Sequence, residues 1–141
     1  MRNSEFGITN EKFCISIIIE EQQMSNPVLE KSKAFALQTI KLYKYLAEEK
    51  HEYILSKQIL RSGTSIGANI QEATRGQTAP MFYSKMNISL GEAEETAYWL
   101  ELIYESDYIS KNQFESLYTD IDELIKLLVA ITKNQKGGQN V

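Results

Sequence analysis

The feature that most constrains this chain is its spacing of apolar residues. From residue 27 onward they recur by threes and fours in four successive stretches, and little interrupts them. Phe35, Ala36, Ile40, Tyr43, Leu46 and Ala47 form the first set. Ile54, Ile59, Leu60, Gly63, Ile66, Gly67, Ile70 and Ala73 form the second. Phe82, Met86, Leu90, Ala93, Ala97, Leu100 and Tyr104 form the third, and Phe114, Leu117, Ile121, Leu124, Leu128 and Ile131 the fourth. This is the period of a helix with one buried face. The chain holds only 2 prolines and 7 glycines, few for a turn-rich β fold.

The breaks between stretches carry helix punctuation. Asn26 precedes Pro27, a cap residue before a residue suited to the first helical position. The first helix then runs to about Lys50 and the second from about Glu52 to Arg75. Gly76-Gln77-Thr78 makes a break, with Pro80 opening the third helix. Ser106-Asp107 ends it, and the fourth begins near Ser110. Short connections require antiparallel neighbours. The expected fold class is all-α, an antiparallel up-down-up-down four-helix bundle over residues 24–135. At about 1.5 Å per residue, such helices make a bundle about 35–40 Å long.

The two ends read differently. Residues 136–141 are expected to be a disordered tail. In residues 1–23, Asn3/Asn10, Phe6/Phe13 and Ile8/Ile15 recur seven apart, too briefly for a coiled coil. Two readings stand: a flexible extension, of the kind that repetitive coding DNA upstream of a later start at Met24 would give, or an arm exchanged with a neighbouring subunit.

Charge and composition bound the function. Hydrophobic residues make up 43% and charged residues 24%, which places the chain among globular proteins. A net charge of −4 argues against nucleic-acid binding by bulk charge. The single cysteine, Cys14, has no disulfide partner within the chain. No run approaches the length of a membrane helix. The expectation is a cytoplasmic protein.

One motif invites a catalytic reading. Gly63-Thr64-Ser65-Ile66-Gly67 satisfies G-x-S-x-G, the nucleophile elbow of the α/β-hydrolases. That elbow needs a strand before the serine and a histidine after it. Here the helical spacing continues through the motif, and the sole histidine, His51, precedes it. Packing explains the glycines better. Gly63 and Gly67 lie four apart on one helix face, and each costs about 1 kcal/mol relative to alanine. A closely approaching helix offsets that cost, with Ser62, Ser65 and Ala68 extending the small-residue surface. Gly67→Leu is expected to disrupt folding or assembly. Asn69 and Glu72 are either solvated, or else Asn69 satisfies a helix end or loop and Glu72 pairs with Arg61.

No other motif supplies chemistry. Glu48-Glu49-Lys50-His51 gives one Glu-x-x-His, whereas a di-iron bundle needs two. No phosphate loop, dinucleotide fingerprint or zinc spacing appears. No cofactor and no metal is expected, and the protein is expected not to be an enzyme. Trp99 and Leu102 on the third helix, and Leu42 and Tyr45 on the first, lie outside the main stripes and are candidates for a subunit interface. Lys41 and Lys44, with Arg61 and Arg75, are candidates for a modest basic strip that binds nucleic acid.

LYKYL at 42–46, SKQILRSGTSIGANIQEA at 56–73 and SKMNISLGEAEETAYWLELI at 84–103 together resemble the bacterial four helix bundle protein family. Some of its members are encoded by intervening sequences within large-subunit ribosomal RNA genes. The resemblance covers about residues 24–135, and SGTSIGANIQEA is its most specific part. It implies a small up-down bundle that assembles into a ring, typically of five subunits, and it offers no catalytic residues. The accessory variability protein of diversity-generating retroelements is similar to this family, and binds nucleic acid and a reverse transcriptase. That relative is basic, whereas this chain is acidic. The resulting expectation is a homo-oligomeric scaffold, with a nucleic-acid-binding accessory protein as the alternative.

Overall fold

A computed structural model of the chain describes residues 26–139. The expected extension over residues 1–23 lies outside the described residues. Four helices follow one another: α1 (Pro27–Glu48), α2 (Leu55–Thr74), α3 (Ala79–Glu105) and α4 (Lys111–Gln139). No strand occurs among the described residues. α2 packs against α1 and α3, and α4 packs against α3 and, most sparsely, α1. No contact joins α1 to α3 or α2 to α4, so these pairs stand at opposite corners. The architecture is an all-α up-down-up-down bundle. The helical backbone of α4 continues through Gln139, into the segment where the sequence suggests a tail.

The termini are set by local chemistry. Asn26 accepts a hydrogen bond from the Leu29 amide and Thr78 from the Met81 amide, each just before a proline in the first turn. Ser110 and Gln113 exchange side-chain-to-backbone bonds of 2.8 and 3.1 Å, a reciprocal capping box for α4. α2 starts at Leu55 rather than near Glu52. The Glu52 carboxylate folds forward and accepts from the amides of Ile54, Leu55 and Ser56 at 3.2, 3.1 and 2.8 Å. Ile54, expected inside, consequently sits in the cap and is 75% exposed.

The core is a column of aliphatic side chains. Leu46, Ile59, Ile66, Ile70, Met86, Leu100, Ile121, Leu124 and Leu128 are fully enclosed. At the top of the α3–α4 turn, Tyr104 and Phe114 stack with ring centroids 4.3 Å apart. On α1 the stripe differs from the sequence reading. It runs Val28, Ser32, Phe35, Thr39, Leu42 and Leu46, one helical step away from the Ile40–Tyr43 face. Two of its members are polar, which hides the stripe from a count of apolar residues. Leu42, read from the sequence as lying outside the main stripe, is therefore part of the core.

Candidate functional site

The GTSIG segment lies mid-way along α2 in unbroken helix. Ser65 Oγ donates to the Arg61 carbonyl at 2.6 Å, and Thr64 Oγ1 to the Leu60 carbonyl at 2.7 Å. Both hydroxyls are thus returned to their own helix backbone. His51 lies in the α1–α2 turn, its Nδ1 3.2 Å from the Tyr53 hydroxyl.

The glycines of this segment lie against α1. A Cβ on Gly63 would stand 2.7 Å from both Cγ2 and Oγ1 of Thr39. A Cβ on Gly67 would stand 3.2 Å from Ser32 Oγ. Those two α1 residues are fully buried, and each turns its hydroxyl back onto its own helix: Thr39 donates to Phe35 O at 2.9 Å, and Ser32 to Leu29 O at 2.8 Å. The other side of α2 is stitched to α3. Buried Thr96 Oγ1 and Ser62 Oγ share a hydrogen bond of 2.9 Å, and Ser89 Oγ donates to the Ile66 carbonyl at 2.8 Å. Sequence reasoning missed the partners Ser32, Thr39, Ser89 and Thr96. Their only signal was that they fall at helical spacing among the apolar residues.

Asn69 and Glu72 have partners other than those expected. Asn69 Nδ2 donates to the Ser65 carbonyl at 2.8 Å, inside the helix and not at an end or loop. Glu72 pairs with Lys85 of α3 at 3.0 Å, not with Arg61. Arg61 instead reaches across to two carboxylates of α3, Glu92 at 3.1 Å and Glu95. Loss of hydration lowers the guanidinium pKa, but Glu92 and Glu95 more than offset this and hold it above its ordinary value. Glu95 also accepts from Trp99 Nε1 at 2.9 Å. Arg61, Glu95 and Trp99 thus form one network along the α2–α3 seam.

This geometry divides the expected basic strip. Arg61 is committed to α3, and Arg75 lies at the far end of α2 as its C-cap residue. Lys41 and Lys44 are exposed on α1 and, among the described residues, have no ion-pair partner; Lys33 joins them. The interface candidates also divide. Tyr45 is half-buried and lines a groove of about 550 Å³ between α1 and α4, with Gln38, Lys41, Gln113, Leu117 and Asp120. Trp99 and Leu102 are half-buried at the margin of a different surface, the outward face of α3.

That outward face is the least usual surface of the bundle. Met81, Ile88 and Tyr98 lie on it, 50%, 47% and 55% exposed. Ser84 and Gly91 fall between them, also exposed. A Cβ at Gly91 would meet nothing within 4 Å. The inner face of α3, with Met86, Ser89, Ala93, Ala97, Leu100 and Ile103, is buried. α3 thus carries exposed apolar side chains on the side opposite its buried face. On α4 the exposed residues are mostly polar, among them Glu115, Thr119, Lys126 and Lys133, with Val129 the exposed large apolar side chain. Among the described residues no helix is long and apolar enough to cross a membrane.

Comparison with known proteins gives a consistent picture. The family model described as 23S rRNA-intervening sequence protein matches residues 24–130. A solved structure from Bacteroides thetaiotaomicron, a protein with unknown function from the S23 ribosomal protein family, is 52% identical in sequence. It superposes with a TM-score of 0.75, over 77% of this chain and 96% of that one. No curated protein matches.

Proposed function

Because the chain belongs to the family of 23S rRNA-intervening sequence proteins, we propose that it acts as a non-enzymatic, homo-oligomeric scaffold in the cytoplasm. The family resemblance implies a ring, typically of five subunits. The observation that carries the reading is the outward apolar face of α3, with Met81, Ile88 and Tyr98 uncovered in the single chain. Gly91 adds to it. A glycine inside a helix costs about 1 kcal/mol relative to alanine. Close packing within the subunit does not account for it, because nothing lies within 4 Å of its missing Cβ. A helix from a neighbouring subunit supplies the reason. Against the nucleophile-elbow alternative stands Ser65, whose hydroxyl donates to the carbonyl of Arg61 on its own helix.

The test is the mass in solution by sedimentation equilibrium across a wide concentration range. A mass of several chains supports the reading, and a single-chain mass at every concentration overturns it.

A second reading rests on Lys33, Lys41 and Lys44, exposed together on α1. In it the protein is a nucleic-acid-binding accessory factor. Labelled single- and double-stranded RNA and DNA, titrated at low and near-physiological salt, test it. Binding that weakens steeply with salt and with Lys41→Glu supports it. No binding at low salt removes it.

A further inference from the structure

We propose that the outward face of α3 in one copy receives the outward face of α1 from a second copy, so that the subunits join head to tail and Lys41 and Lys44 are assembly residues. This rests on the homo-oligomer reading above and adds which surfaces meet.

Charge distinguishes the two faces. Glu94, Glu101 and Glu105 flank the apolar strip of α3, and none has an ion-pair partner among the described residues. The outward face of α1 carries the opposite pattern. Leu37 stands at its centre, 54% exposed. Lys33, Lys41 and Lys44 surround it at helical spacing, exposed and without an ion-pair partner among the described residues, with Glu30 and Glu48 only at the two ends. Each face thus has an apolar centre, and the two borders are opposite in sign. Pairing α3 with its own copy sets carboxylates against carboxylates, and pairing α1 with its own copy sets lysines against lysines. Only the mixed pairing makes the potentials complementary.

The fold places these faces where a head-to-tail contact needs them. α1 and α3 occupy opposite corners of the bundle, so their outward faces point away from each other. In the up-down topology the two helices run in the same direction. With bundle axes parallel, Lys41 and Lys44 of one copy come level with Glu94 and Glu101 of the next. Such a contact uses two different surfaces of each subunit. It therefore repeats from copy to copy, and closes into a ring when its rotation permits.

Two variants separate this inference from its premise. One carries Ile88→Glu and Tyr98→Glu on α3, and the other carries Lys41→Glu and Lys44→Glu on α1. Light scattering after size exclusion gives their masses, and circular-dichroism melts report whether each is folded. Each variant alone should fall to the mass of one chain. An equimolar mixture should form a species of two chains and stop there, because it offers one intact α1 face and one intact α3 face. A fourfold variant, Lys41→Glu, Lys44→Glu, Glu94→Lys and Glu101→Lys, should recover the wild-type mass. If the wild-type protein is a single chain, both the scaffold reading and this inference fall. If the wild type is an oligomer and the α1 variant keeps its mass, the α1–α3 pairing is overturned while the scaffold reading stands. Failure of the mixture to pair, or of the fourfold variant to recover, also overturns the pairing.

Discussion

Gly63 and Gly67 share a sequence context but differ in what faces them. At Gly63 an added Cβ is 2.7 Å from two atoms of Thr39, a branched side chain that is fully buried. At Gly67 the nearest atom is a serine hydroxyl at 3.2 Å. Alanine gains about 1 kcal/mol of helix propensity at either site, and overpacking a filled site costs about 1–3 kcal/mol. Gly63→Ala is therefore expected to lose up to about 2 kcal/mol, while Gly67→Ala stays near neutral. Thermal melts of the two variants, compared with the parent, check the ordering; equal melting temperatures would contradict it. The sequence made the glycines legible through their spacing of four and their cost. It did not make Thr39 and Ser32 legible, because a threonine and a serine read as surface until the helix facing them is known. The same blindness put Leu42 on the wrong face of α1. Glu72 and Arg61 share a helix, but each is claimed by the neighbouring one. Spacing along one helix cannot reveal that.

At the scale of the helices, starts were more legible than stops. Asn26-Pro27 and Thr78 with Pro80 announce α1 and α3 because their chemistry is local. Glu52 misled, since a glutamate before an apolar run looks like the first residue of the helix. It instead accepts from three amides ahead of it. Glu52→Ala should cost about 1–2 kcal/mol, in line with the loss of other N-terminal caps. A chemical denaturation midpoint that does not move would refute this. The end of α3 offers a change of opposite sign. Asp107 has φ of 66°, its amide donates to Tyr104 O at 3.0 Å, and the Tyr108 amide donates to Ile103 O at 3.1 Å. This is a Schellman motif with aspartate where glycine is usual. The left-handed conformation costs a non-glycine residue about 1–2 kcal/mol, and glycine's greater unfolded freedom returns part of that. Asp107→Gly should raise the melting temperature, with a gain of about 1 kcal/mol.

At the scale of the whole molecule, topology was readable because four periodic stretches with short connections leave few alternatives. The second face of α3 was only half readable. Trp99 and Leu102 stood out from the main stripe, but Met81, Ile88 and Tyr98 are placed on that face only by their exposure. The α1–α4 seam was not readable at all, because helix periodicity says nothing about how closely two helices approach. That seam has a further consequence. It joins the first helix to the last, its packing is sparse, and the Lys31–Glu123 pair at 2.6 Å crosses it between exposed side chains. Exposed pairs of this kind contribute about 0–1 kcal/mol. Closing the seam also demands the longest chain loop in the bundle. Amide hydrogens of α1 and α4 near the groove should exchange faster than those of α2, which is held on both sides, and residue-resolved exchange would show the order directly. In time rather than space, the bundle is expected to behave as a clasp, with α2 and α3 as its standing part and the α1–α4 seam as the place that opens first.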